Sequence, residues 1–93
     1  MPQDHPLKIL LVDDEPLARS RLRELLGDIA IQFASEVVGE AGNGIAALEV
    51  IRENPVDVVL ADIRMPGMDG IELAGHLGAF EHPPAVILDR KSV

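Results

Sequence analysis

Residues 7–12, Leu-Lys-Ile-Leu-Leu-Val, form an apolar run broken only by Lys8, and it ends directly against Asp13, Asp14 and Glu15. A strand that is apolar at successive positions is buried on both faces, as in a parallel sheet with helices on either side. The three acids that follow are more than a strand end or a helix cap requires. Where the surplus carboxylate goes is the question that organises the rest of the chain.

The same grammar repeats. Asp14 or Glu15 caps a first helix with Pro16 in its opening turn, and Gly27 ends it. Its apolar positions Ala18, Leu22, Leu25 and Ile29 define one face, with Arg19, Arg21 and Arg23 largely off it. Glu36 to Ala41 reads as a second strand. Gly42-Asn43-Gly44 is a turn, with Asn43 placed to cap a helix from about Ile45 to Glu53 that Asn54-Pro55 stops. Val56 to Ala61 is the third strand and ends on Asp62. A turn-rich loop, residues 63–70, precedes a short helix from Ile71 to Leu77 with Asp69 as its cap. After Pro83-Pro84, Ala85 to Leu88 is the fourth strand, and residues 89–93 read as a polar tail.

The order is βαβαβαβ. Strands alternating with helices pair in parallel through right-handed crossovers, so the class is α/β, a doubly wound parallel sheet. The 93 residues make a single domain, 1–93, with no internal repeat or linker.

Composition narrows the function. Sixteen acids against eight basic residues give a net charge of −8. Such a piece repels phosphate backbones, so direct nucleic-acid binding is not expected of it. Cysteine is absent, which excludes disulfides and thiolate metal sites. No apolar stretch nears the roughly 20 residues that span a bilayer, and residues 1–6 are no signal peptide. The expected setting is the cytoplasm, with no membrane association.

In a doubly wound sheet the strands share one carboxyl edge, where ligands bind at the reversal of strand order. In the order 2-1-3-4 the first and third strands are neighbours, and Asp13 and Asp14 meet Asp62 from 49 and 48 residues away. Two carboxylates about 4 Å apart repel by about 4 kcal/mol at an effective dielectric near 20. Either one takes up a proton or a cation sits between them. Oxygen-only donors suit Mg2+, while scattered His5, His76 and His82 argue against zinc. Taken singly, Asp13-Asp14 is what a helix cap looks like, and Asp62 what a turn acid looks like. In register with the strand pattern, the three together point to a site.

On "ILLVDDEP" (9–16), "AGNGIAAL" (41–48), "VDVVLADIRMPGMDGIEL" (56–73) and "PAVIL" (84–88), the chain resembles the receiver domains of bacterial two-component response regulators. The pattern covers residues 7–88. "DDEPLARSRL" is further similar to receivers attached to LytTR-type DNA-binding domains. The resemblance implies the flavodoxin-like receiver fold and a signalling role in transcription regulation. It implies phosphoryl transfer from a histidine kinase, or a small phosphodonor, to Asp62, forming an aspartyl phosphate. Asp13 and Asp14 would hold Mg2+ beside Asp62, Asp14 more directly, and the backbone carbonyl of Arg64 would complete the protein ligands. Pro66 and Gly67 would shape the loop. Such a domain is a phosphoacceptor that assists its own phosphorylation rather than an enzyme acting on a separate substrate.

The family also carries a Ser or Thr after the fourth strand and a Lys after a fifth. Here Arg90 falls near the hydroxyl position, Ser92 is two residues late, and Lys91 does not replace the lysine. The expectation is a receiver cut short after its fourth strand, with that strand's edge open to homodimerisation or element exchange. The competing reading is therefore a non-switching binding and dimerisation module. A magnesium phosphohydrolase fits less well, because "DDEP" lacks the D-x-D spacing, and "GEAGNG" (39–44) lacks the dinucleotide spacing of glycines.

Overall fold

The computed structural model describes residues 6–65 and 67–89. In chain order these form β1 (Leu7–Val12), α1 (Pro16–Asp28), β2 (Ser35–Ala41), α2 (Gly44–Glu53), β3 (Val58–Asp62), α3 (Gly70–Leu77) and β4 (Ala85–Asp89). The four strands make one parallel sheet in the order β2-β1-β3-β4, the topology expected from the alternation of elements.

The central strands carry the core. Leu10, Leu11, Val12 and Val59 are fully buried, each of the larger side chains contributing about 1.5–3 kcal/mol by leaving water. Alternation divides them between two faces. Leu10, Val12, Val59 and Ala61 pack with Ala47, Leu48 and Ile51 of α2 and with Leu73 and Leu77 of α3. Ile9 and Leu11 point to the opposite face, where α1 packs against β1 and β2.

Element limits shift where tertiary contacts act. Gly27 does not end α1, which continues to Asp28 before a turn through residues 29–32. The packed positions of α1 are Ala18, Leu22, Leu26 and Ile29, while Leu25 stays 55% exposed. β3 begins at Val58 rather than Val56, because Asp57 is held by Lys8 instead: its N–H donates to the Lys8 carbonyl and its Oδ2 accepts from the Lys8 N–H. Between Ile9 and Leu10 the register on β2 jumps from Val37 to Gly39, so Val38 is a bulge.

Local chemistry sets the helix starts. Asn43 Oδ1 accepts from the Ala46 N–H at 2.8 Å, and Asp69 Oδ1 accepts from the Glu72 N–H at 2.9 Å, as side-chain caps. Pro16 opens α1, but Glu15, its cap position, makes no side-chain cap bond.

The fourth strand differs from expectation at its end. Asp89 belongs to β4 and stands opposite Asp62 in the ladder. Val86 and Leu88 pack against the α2–α3 core, whereas Ala85 and Ile87 on the other face are exposed, Ile87 at 55%. β4 is the sheet's edge among the described residues. No helix among them is long and apolar enough to cross a membrane.

Candidate functional site

β1 and β3 are direct neighbours, with Val12 opposite Ala61, so the next residues, Asp13 and Asp62, emerge side by side at the carboxyl edge. One carboxylate oxygen from each of Asp13, Asp14 and Asp62 lies within 4.8 Å of the other two. Asp13 and Asp62 are buried, at 7% and 3% exposure, and Asp14 opens to solvent. The three acids singled out from the sequence thus share one point.

Each strand end is fixed by its own turn. The Glu15 N–H donates to Asp13 Oδ1 at 2.9 Å, and the Arg64 N–H donates to Asp62 Oδ1 at 3.1 Å. Asp13 is further anchored through its backbone: its N–H donates to the Ala41 carbonyl at 3.0 Å, and its carbonyl accepts from Arg19 Nη1. The loop after β3 is closed by Ile63 N–H donating to the Asp89 carbonyl at 3.0 Å and Gly70 N–H donating to the Ile63 carbonyl at 3.2 Å.

Two glycines in this loop answer backbone demands. Gly67 has φ of 77°, the left-handed region that side chains disfavour. At Gly70 a Cβ would stand 2.5 Å from the Asp62 carbonyl oxygen, so only glycine lets α3 start this close to β3. Met65 is buried and Met68 packs against the core beside Gly44. Pro66 lies outside the described residues, as do Arg90, Lys91, Ser92 and His5.

The donor set suits a hard divalent ion. It consists of three carboxylates with no nitrogen or sulfur among them, and the exposed Asp14 leaves room for water in the ion's shell. Ionised together at this separation, the three repel by about 3.5 kcal/mol per pair at an effective dielectric near 20, and a divalent cation among them removes that repulsion. A hollow of about 270 Å³ opens beside Asp13 and Asp62, walled by Leu22, Leu60 and Ile87. A larger one, about 390 Å³, lies at the opposite end of the strands by Phe80 and Pro84; its one carboxylate, Asp57, already accepts from Lys8.

Four contributors, Arg19, Arg23, Asp89 and Gly70, escaped the sequence reading. Arg19 and Arg23, placed there only as lying largely off the apolar face of the first helix, both grip Glu40 of β2. Arg19 Nε donates to Glu40 Oε1 at 2.8 Å, and Arg23 Nε and Nη2 donate to Oε2 at 3.0 and 2.7 Å. These bonds, Arg23 first, hold the Glu40 carboxyl below its ordinary range. Asp89 and Gly70 likewise act through partners on β3 that linear spacing does not reveal.

Residues 9–90 match the response regulator receiver domain family. The chain is 48% identical over 81 residues to the positive alginate biosynthesis regulatory protein of Pseudomonas aeruginosa, covering 87% of this chain and 32% of that protein. It therefore spans about a third of the length of such relatives. Its fold superposes on the signal receiver domain of the response regulator NarL from Mycobacterium tuberculosis with a TM-score of 0.84 at 37% identity, covering 96% of this chain and 69% of that one. The CheX–CheY complex of Borrelia burgdorferi, solved with BeF3 and Mg2+, matches with a TM-score of 0.78 at 26% identity, covering 92% and 63%.

Proposed function

The chain belongs to the response regulator receiver domain family, and from that premise we propose that Asp62 is its phosphoacceptor and that Asp13, Asp14 and Asp62, with the Arg64 carbonyl, hold Mg2+. The carrying observation is the meeting of three carboxylates from two strand ends within 4.8 Å. The Mg2+ in the Borrelia complex supports the choice of ion.

An Asp62 carboxylate oxygen attacks the donor phosphorus; a P–O bond forms as the bond to the donor's histidine nitrogen, or to a small acyl phosphate's leaving oxygen, breaks. Mg2+ held by Asp13, Asp14 and Asp62 would offset the charge on the transferring phosphoryl. The protein's own work is positional. The Arg64 N–H fixes one Asp62 oxygen, and the buried strand end prevents the carboxylate from swinging away. A histidine kinase is the donor and the cytoplasm the setting in this reading. The name of a Mycobacterium tuberculosis relative 40% identical over 87 residues, the transcriptional regulatory protein NarL, supports a place for the domain in a transcriptional regulator.

Incubation with Mg2+ and a small acyl phosphate should add one phosphoryl group, read by intact mass, and Asp62→Asn should abolish it. Equal labelling of the substituted chain would refute the acceptor assignment.

A second reading concerns β4. Ile87 is 55% exposed next to Leu60 on the α1 side of the sheet, beyond the strands β1 and β2 on which α1 packs, and β4 has an open edge among the described residues. Such a strand pairs readily with another copy. Self-association without any change on phosphorylation would favour the binding-module reading over a switch.

A further inference from the structure

Resting on the Mg2+-site reading above, we infer that Arg19 is a positioning residue for the acidic pocket. Its guanidinium is a planar fork, and the two sides of the fork do different things. Nε is docked on Glu40 Oε1 at 2.8 Å, while Nη1 donates to the carbonyl of Asp13. Glu40 is itself held from its other oxygen by Arg23. The clamp therefore runs from β2, through α1, onto the first residue after β1.

What it clamps matters. Asp13 donates its N–H to the Ala41 carbonyl and gives its own carbonyl to Arg19, so the peptide groups on both sides of its Cα are fixed. Its side chain, with Oδ1 held by the Glu15 N–H, presents an oxygen within 4.8 Å of one of Asp62. The Asp13 carbonyl belongs to the peptide that leads into Asp14, so the same bond sets where Asp14 emerges. Arg19 touches no proposed ligand oxygen and acts through the backbone alone. Outer contacts of this kind commonly alter metal affinity about 10- to 100-fold when removed.

Electrostatics alone predicts the reverse. Arg19 is a cation beside a cation site, and its loss should tighten Mg2+ binding by relieving like-charge repulsion. The two accounts differ in sign, which makes the experiment decisive.

Mn2+, a probe for the Mg2+ site, is titrated into the 93-residue chain and the free ion is read by electron paramagnetic resonance, with Mg2+ competition. Arg19→Gln should raise the dissociation constant about tenfold. Arg19→Lys, which keeps the charge but not the fork, should weaken binding several-fold and retain the fold. Arg23→Gln, which removes an equal charge from the same Glu40 network, should stay within about twofold of the parent while losing comparable thermal stability. Unchanged or tighter binding in Arg19→Gln, or parental affinity in Arg19→Lys, overturns the inference alone. Failure of the unsubstituted chain to bind Mn2+ competitively with Mg2+ overturns the metal-site reading and this inference with it.

Discussion

Gly70 begins α3 so close to the end of β3 that a Cβ on it would meet the Asp62 carbonyl oxygen at 2.5 Å and Leu88 Cδ2 at 2.8 Å. The backbone of the proposed acceptor is thus part of the packing surface of the following helix. Gly70→Ala should lower unfolding free energy by about 1–3 kcal/mol through overpacking. Gly75, inside the same helix, has nothing within 4 Å of a built Cβ. Gly75→Ala should instead stabilise by up to about 1 kcal/mol. Denaturant titration of both decides; a neutral Gly70→Ala would mean the loop gives way freely.

Mg2+ should stabilise the folded chain, since three converging carboxylates exist only there. A concentration of about 100 times the dissociation constant adds about 2.7 kcal/mol. Thermal melts with and without the ion should show this rise, and chelator should reverse it. In Asp14→Asn the rise should shrink strongly. A melt insensitive to Mg2+ would contradict the site.

Glu40 links α1 to β2, and its carboxyl is held below its ordinary 4.5 by hydrogen bonds from Arg23 and then Arg19. A depressed folded value means the contribution is complete above the ordinary value and is lost as pH falls through the folded one. The ion pairs lie at the surface, so Glu40→Gln should cost less than about 1 kcal/mol at neutral pH. That difference should vanish in acid below the ordinary glutamate range. Paired urea titrations across pH test the sign, and a gap that widened in acid would reverse the assignment.

Asn43 caps α2 through its bond to the Ala46 N–H. Asn43→Ala should destabilise by about 1 kcal/mol, and Asn43→Ser should recover most of it. Thermal unfolding of the pair checks this. Equal losses in both would point to a role for Asn43 beyond capping.

Self-association through β4 predicts a concentration-dependent sedimentation coefficient that Ile87→Lys abolishes, because a charge at that position resists burial in a sheet-to-sheet contact. A folded monomer at high concentration in the parent would remove this reading.

Much of this architecture is local in origin and therefore legible along the chain. Apolar runs such as Leu10-Leu11-Val12 specify buried strands, and alternation with capped helices leaves a parallel sheet as the arrangement that hides them. From that sheet follows the meeting of Asp13, Asp14 and Asp62, because parallel neighbours bring their carboxyl ends to a common edge. What the chain's linear order could not disclose are relations set by three-dimensional approach. Arg19 reaches both Glu40 and the Asp13 carbonyl, Asp89 extends β4 opposite Asp62, Leu26 rather than Leu25 turns inward, and Gly70 yields to a carbonyl eight residues earlier. Periodicity fixes which face of an element is apolar; only packing fixes its rotation and depth against its neighbours, and those set which polar groups come within reach.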